Sequence, residues 1–191
     1  MQSWTNLMSE EVFAKGKLFE LVHLKQDDGR VFEIARRAPG VRLIIHDKSQ
    51  GKILLTKEFR HELGESDYRL PGGKVFDSLD EFEAFRASGE DMLDAAKRKA
   101  IEEAQQEAGV EIAELDLYKK SVLGATVEWD LYVFETIDWQ LSVEGQELEV
   151  GEKIEADNWV TYDEACQMAL NGSMAEERIA LILLQWLEGK S

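Results

Sequence analysis

This chain of 191 residues is poor in the features that cross-link, break or anchor a protein. A single cysteine, Cys166, excludes an internal disulfide and a zinc cluster built on thiolates. Two prolines and no tract rich in serine or glycine argue against a disordered linker or a second large domain. Apolar runs such as residues 179–184 fall far short of the roughly 20 residues that a membrane span requires. Residues 1–10 have neither a positive start nor an apolar run, so no signal peptide is expected. Basic residues are scarce as well: 22 Lys and Arg stand against 39 Asp and Glu, a net charge of −17. Such a surface repels a polyphosphate backbone, so nucleic acid is not an expected partner. A phosphate-bearing small molecule remains compatible if metal ions screen the carboxylates, and the acidity serves solubility alone just as well. The expectation is a soluble, cytoplasmic protein without a membrane partner.

What is present suffices for one packed domain, since 44% of the residues are hydrophobic. Residues 17–24 and 31–36 are apolar-rich and flank Gln26-Asp27-Asp28-Gly29, whose Asp-Gly pair signals a hairpin. Residues 41–46 and 52–58 repeat the arrangement, and Pro71-Gly72-Gly73 then interrupts the strands. Residues 91–108 lack proline and glycine and are rich in helix formers, with Asp91 as cap and Gly109 as stop. Strands are expected at 122–127 and 131–137, and Trp159-Val160 belongs to another. Capping boxes at Thr161 and Ser173 predict two terminal helices, the first ending at Asn171-Gly172 and the second near Leu187. The hairpins disfavour a doubly wound sheet, so the chain reads as α/β in the α+β sense, a mixed sheet with helices on its faces.

On the long helix, Glu103 and Glu107 share one face, with Gln106 beside them and Glu102 on the adjacent edge. Like charges at this spacing repel by a few tenths of a kcal/mol. Bound Mg²⁺ would compensate them, and so would ordinary salt bridges to Arg98 and Lys99 one turn earlier.

The surroundings bear on that choice. Leu70-Pro71-Gly72-Gly73 upstream and Glu107-Ala108-Gly109-Val110 at the helix end resemble the Nudix box. That pattern is Gly, five residues, Glu, seven residues, then Arg-Glu-U-x-Glu-Glu-x-Gly-U, where U is a bulky aliphatic. Residues 53–60, ending in Phe59-Arg60, are similar to a strand of ADP-ribose pyrophosphatases, and residues 149–155 before Trp159-Val160 are similar to their acidic loop. The chain departs from the pattern in places. Gly73 and Glu102 lie 29 positions apart where the family has 14, so about 15 residues are inserted within 74–90. Glu102 stands at the family's arginine, Gln106 at the first glutamate of its pair, and Asp94 where the earlier glutamate falls. A register one turn back restores Arg98 and Glu102-Glu103, yet it loses the terminal glycine and puts Lys99 on the key glutamate. The first register is preferred.

The resemblance implies a Nudix-like mixed sheet sandwiched by helices in 41–191, with an N-terminal antiparallel β extension in 1–40 that could serve a homodimer. It implies Mg²⁺-dependent (or Mn²⁺-dependent) hydrolysis of a nucleoside diphosphate derivative, ADP-ribose or a related nucleotide sugar. Alternatives are a dinucleotide, coenzyme A or nucleoside triphosphate as substrate, or a fold that binds a nucleotide without cutting it. Metal ligands would be Glu103, Glu107 and Gln106. Glu152, with Glu149 second, would accept the proton of the attacking water. Gly72 and Gly73 would bring the backbone close, and Arg60 would meet a phosphate or pack structurally. Arg36 and Arg37 read as strand-surface charges, and Cys166 as packing.

Overall fold

The computed structural model of the chain describes residues 9–61, 63–124, 126–148, 151 and 153–190. Six strands come first: β1 (Ser9–Lys15), β2 (Phe19–Lys25), β3 (Val31–Arg37), β4 (Gly40–Asp47), β5 (Lys52–Arg60) and β6 (Glu65–Arg69). Helices α1 (Leu79–Ser88) and α2 (Met92–Ala108) follow. Next come β7 (Val110–Ile112), β8 (Asp116–Ser121), β9 (Val127–Glu128), β10 (Leu131–Thr136), β11 (Trp139–Leu141) and β12 (Ile154–Thr161). Helices α3 (Tyr162–Leu170) and α4 (Glu177–Glu188) end the series, and among the described residues no helix is long and apolar enough to cross a membrane.

The main sheet runs β12-β5-β4-β10-β8, with β6 paired to β5. It is mixed, because β10 lies parallel to β4 and antiparallel to β8. Alternation along β4 decides which helices cover it. Val41, Leu43 and Ile45 pack with Ala96, Ala100 and Ala104 of α2, whose small side chains let the helix approach the sheet closely. Ile44 packs instead with Ile179, Leu183 and Trp186 of α4. Each fully buried Leu, Ile or Val contributes about 1.5–3 kcal/mol, so both faces are firmly closed. The sheet sandwiched between helices matches the expected class. Cys166 packs against the α4 cluster, also as expected.

One irregularity opens the site. β4 pairs with β5 only at their hairpin end, His46 with Ile53 and Asp47 with Lys52. Further along, β4 takes residues 71–73 as its partner: Leu43 N donates to Pro71 O at 2.9 Å and Val41 N to Gly73 O at 2.9 Å. Gly72 adopts φ 138°, and a Cβ there would collide with the Val41 carbonyl. Only glycine fits that position at low cost.

β1, β2 and β3 form a second antiparallel sheet, which β9 joins in parallel. The inserted stretch folds as α1, capped by Ser78 and ended by Gly89. Lys15 ties α1 to the N-terminal sheet through Asp80 at 2.8 Å and Glu83 at 2.9 Å.

Two expectations need correction. Residues 122–127 are mostly loop, with Gly124 at φ 74° and Val122 65% exposed. The edge of β10 is taken by residues 116–121 instead. Ser173 caps nothing, because its hydroxyl donates to Asn171 Oδ1 at 2.7 Å, and α4 starts at Glu177 without a side-chain cap. The Thr161 box is present in full and α3 ends before Asn171.

Candidate active site

Helix α2 begins at Asp91, whose carboxylate accepts from the Leu93 and Asp94 amides, and stops at left-handed Gly109. Between these caps the alanines face the sheet, which turns Glu103, Gln106 and Glu107 toward a cavity of about 530 Å³. The bend at residues 71–73 forms the floor beside them. Glu107 accepts the Gly72 N–H at 2.7 Å, and a Cβ on Gly73 would fall on the Glu103 carboxylate. Both glycines are therefore needed for the helix face to meet the backbone. Glu58 of β5 also lines the cavity.

Burial, followed by the charge of Glu103, pushes the Glu107 carboxyl up to about 7, against the opposing Gly72 hydrogen bond. Lys99 bridges Glu102 at 3.0 Å and Glu103 at 3.2 Å. Across the cavity the charges reverse. Arg42 donates to the Gly72 carbonyl and reaches Glu176 at 3.5 Å, while Arg69 binds Asp67 at 2.7 Å. The Gly72 peptide thus joins the walls, its N–H on the acidic side and its C=O on the basic one.

The donors offered are all oxygen, which suits a hard divalent cation. Among the described residues no group of three or more His, Cys, Asp or Glu side chains is gathered to hold an ion by itself. Mg²⁺ is often held by one or two carboxylates plus phosphate and water, so a carboxylate pair beside a substrate cavity fits it. The raised Glu107 carboxyl points the same way, since a cation favours the charged form that burial and, after it, the Glu103 charge disfavour.

A family model described as the NUDIX domain matches residues 36–182. The chain belongs to the Nudix family. It is accordingly a Nudix pyrophosphohydrolase, an enzyme class that uses divalent metals on nucleotide-derived substrates. Among solved structures it is similar to one titled as the crystal structure of an ADP compounds hydrolase. The TM-score is 0.70 and the identity 18%, over 100% of this chain and 98% of the other, so the likeness is one of fold. No curated protein sequence matches the chain.

Of the residues expected from the Nudix resemblance, Glu103, Gln106, Glu107, Gly72, Gly73 and Arg60 all line the one cavity. Arg60 ion-pairs with Glu58 at 2.9 Å. Glu149 and Glu152 lie outside the described residues. Asp94 is exposed in the first turn of α2, away from the cavity lining. Arg36 and Arg37 are not strand-surface charges. Arg36 is 8% exposed and bound to Glu10, Glu20 and Glu128, which β1, β2 and β9 of its own sheet bring to it. Arg37 lines the cavity. Sequence reasoning missed Glu58, Arg42, Trp129 and Glu176. Glu58 alone had a signal: two residues before Arg60 in a strand, it shares that residue's face.

Proposed function

We propose that the protein hydrolyses the diphosphate bond of ADP-ribose or a related nucleotide sugar with Mg²⁺ as cofactor. One observation carries the reading: Glu103 and Glu107, one helical turn apart, meet the Gly72-Gly73 bend inside a cavity whose opposite wall is basic. Glu103 and Glu107 would hold the ion, with the Gln106 amide oxygen as a neutral third donor. Bound there, Mg²⁺ would supply neutralising charge to the diphosphate and make the attacking water more acidic. Arg42, beside Gly72, and Arg60 orient the phosphates across from the carboxylates. Glu152, with Glu149 second, takes the proton from the attacking water. The solved neighbour's title, naming ADP compounds as its substrates, agrees with the choice of substrate class.

A second reading has one observation in its favour. Lys99 already neutralises Glu103, and Gln106 lacks the charge of the family glutamate, as in a protein that binds a nucleotide without cutting it. Release of AMP from ADP-ribose, with and without Mg²⁺, separates the two. Metal-dependent release that falls on the order of 1000-fold in Glu103→Gln, about 4 kcal/mol, supports the hydrolase. Binding without Mg²⁺ and without release from any nucleotide sugar, dinucleotide or triphosphate supports the binder.

The division into an N-terminal extension, 1–40, and a catalytic part, 41–191, is proposed with a homodimer built on the extension. Phe13, Phe19, Val31 and Phe32 of the N-terminal sheet are 46–64% exposed, an apolar surface suited to a second copy. Sedimentation at micromolar concentration giving the monomer mass would remove this part.

A further inference from the structure

Six cationic side chains line the cavity. Five of them, Arg42, Arg60, Arg69, Lys74 and Lys99, have a carboxylate within 3.5 Å. Arg37 has none among the described residues. In a chain of net charge −17, a cation left without a carboxylate inside a cavity is conspicuous.

Arg37 is also held in place. Its guanidinium lies 4.4 Å from the centroid of the Trp129 ring and 5.1 Å from that of Phe19. Arg178 lies 5.0 Å from the same Trp129 ring and is fixed by the Ser121 hydroxyl at 3.1 Å and the Ser121 and Trp129 carbonyls at 2.6 and 3.1 Å. Arg178 likewise has no carboxylate within ion-pair distance among the described residues. Four buried donors of this cluster lack a hydrogen-bond partner: Arg37 Nε, Arg42 Nε, Trp129 Nε1 and Arg178 Nη1. Buried donors without partners are uncommon and point to a group that arrives from outside. Burial and the neighbouring Arg42 both hold Arg37 below the ordinary arginine value, with Glu176 opposing them, so an arriving anion would relieve the cluster.

Cation–π packing alone stabilises by about 0.5–2 kcal/mol and does not require the donors to stay unmatched. A phosphate does account for them, since a guanidinium offers it a fork of parallel N–H donors. The acidic wall and Arg42 already flank the Gly72 peptide, where the scissile diphosphate would lie. Arg37 makes no hydrogen bond or ion pair with residues 72–73 or with α2. Arg37 is therefore left available to a second anion.

We propose that Arg37, braced on Trp129 with Arg178, is a specificity site for an anionic group that the substrate carries in addition to the diphosphate that is cut. The preferred substrates are pyrophosphates bearing a further phosphate, either as a monoester or within a longer phosphate chain. The inference rests on the hydrolase reading above.

The test uses matched pairs that share a cleavable bond: ADP-ribose and its 2′-phosphate, dephospho-coenzyme A and coenzyme A, diadenosine diphosphate and diadenosine tetraphosphate. At least one pair is expected to show a tenfold or greater preference in kcat/KM for the phosphate-rich member. Preference in the first two pairs indicates a monoester, and preference in the last a chain. Arg37→Gln removes the preference by lowering kcat/KM for the phosphate-rich member at least tenfold more than for its partner. Arg37→Lys, which keeps the charge without the fork, retains part of it. No preference in any pair, or an equal loss for both members, overturns the proposal. If the wild type cuts none of the compounds, calorimetric binding of the same pairs to the metal-free protein decides. A preference lost in Arg37→Gln keeps the anion site while the hydrolase reading falls, and its absence in the wild type removes the site.

Discussion

One wall of the cavity is a single helix face, and the other is assembled from separate parts of the chain. Glu103 and Glu107 are brought together by helical geometry alone, so any α2 that forms at all presents them side by side. Arg37, Arg42, Arg69, Trp129 and Glu176 come from β3, β4, β6, the turn before β10 and the segment before α4. They meet only when the sheet is complete and β4 has exchanged β5 for residues 71–73. The acidic wall is local and the basic wall is tertiary. Gly72 is the residue at which they join, its two peptide ends bonded to opposite sides.

The comparison predicts unequal consequences. The largest belongs to Gly72→Ala. The φ of 138° and the collision with the Val41 carbonyl should cost at least about 3 kcal/mol in urea unfolding, with both walls displaced. Stability within about 1 kcal/mol of wild type would mean the junction is not rigid.

Glu107→Gln follows, and it acts on the acidic wall only. The folded carboxyl titrates near 7 and the unfolded one near 4.5, so the folded chain holds the proton more tightly. Stability of the metal-free protein therefore falls as pH rises from about 4.5 through about 7 and then levels. At pH 8 the glutamine variant should gain about 2 kcal/mol after a discount for partial exposure, and near pH 4.5 the gain should vanish. Thermal melts at both pH values with a chelator present check it. An equal shift at both would place the cause outside this titration.

The smallest effect is expected at Lys99. Replacing it by Met removes a cation 3.2 Å from Glu103 and should cost about 1 kcal/mol in the metal-free protein. Saturating Mg²⁺ should erase that difference, because it supplies the missing charge. A deficit that persists in Mg²⁺ would assign Lys99 a purely structural part.

The same contrast explains what could be read in the sequence. Helix α2, its Asp91 cap and its Gly109 stop were legible because cap, period and terminator are all local signals. The register that aligns Gly109 with the box agrees with Glu103 and Glu107 meeting Gly72 and Gly73. Arg37 and Arg42 were opaque, because an arginine within an apolar strand does not reveal which layer will cover it. Arg36 and Arg37 are adjacent, yet alternation sends one into a glutamate cluster and the other into the cavity. Residues 122–127 misled through composition, since their apolar side chains remain exposed while the more polar 116–121 supply the edge pairing.

The central claim is that the α2 carboxylates hold the divalent ion on which cleavage depends. Titration with Mn²⁺, followed by loss of the free-ion electron paramagnetic resonance signal, tests it most directly in wild type and Glu103→Gln. Saturable binding in the wild type, weakened about tenfold or more in the variant, is the predicted result. Equal Mn²⁺ affinity in the two proteins would contradict the account, because the ion would then lie away from the carboxylate pair that meets Gly72 and Gly73.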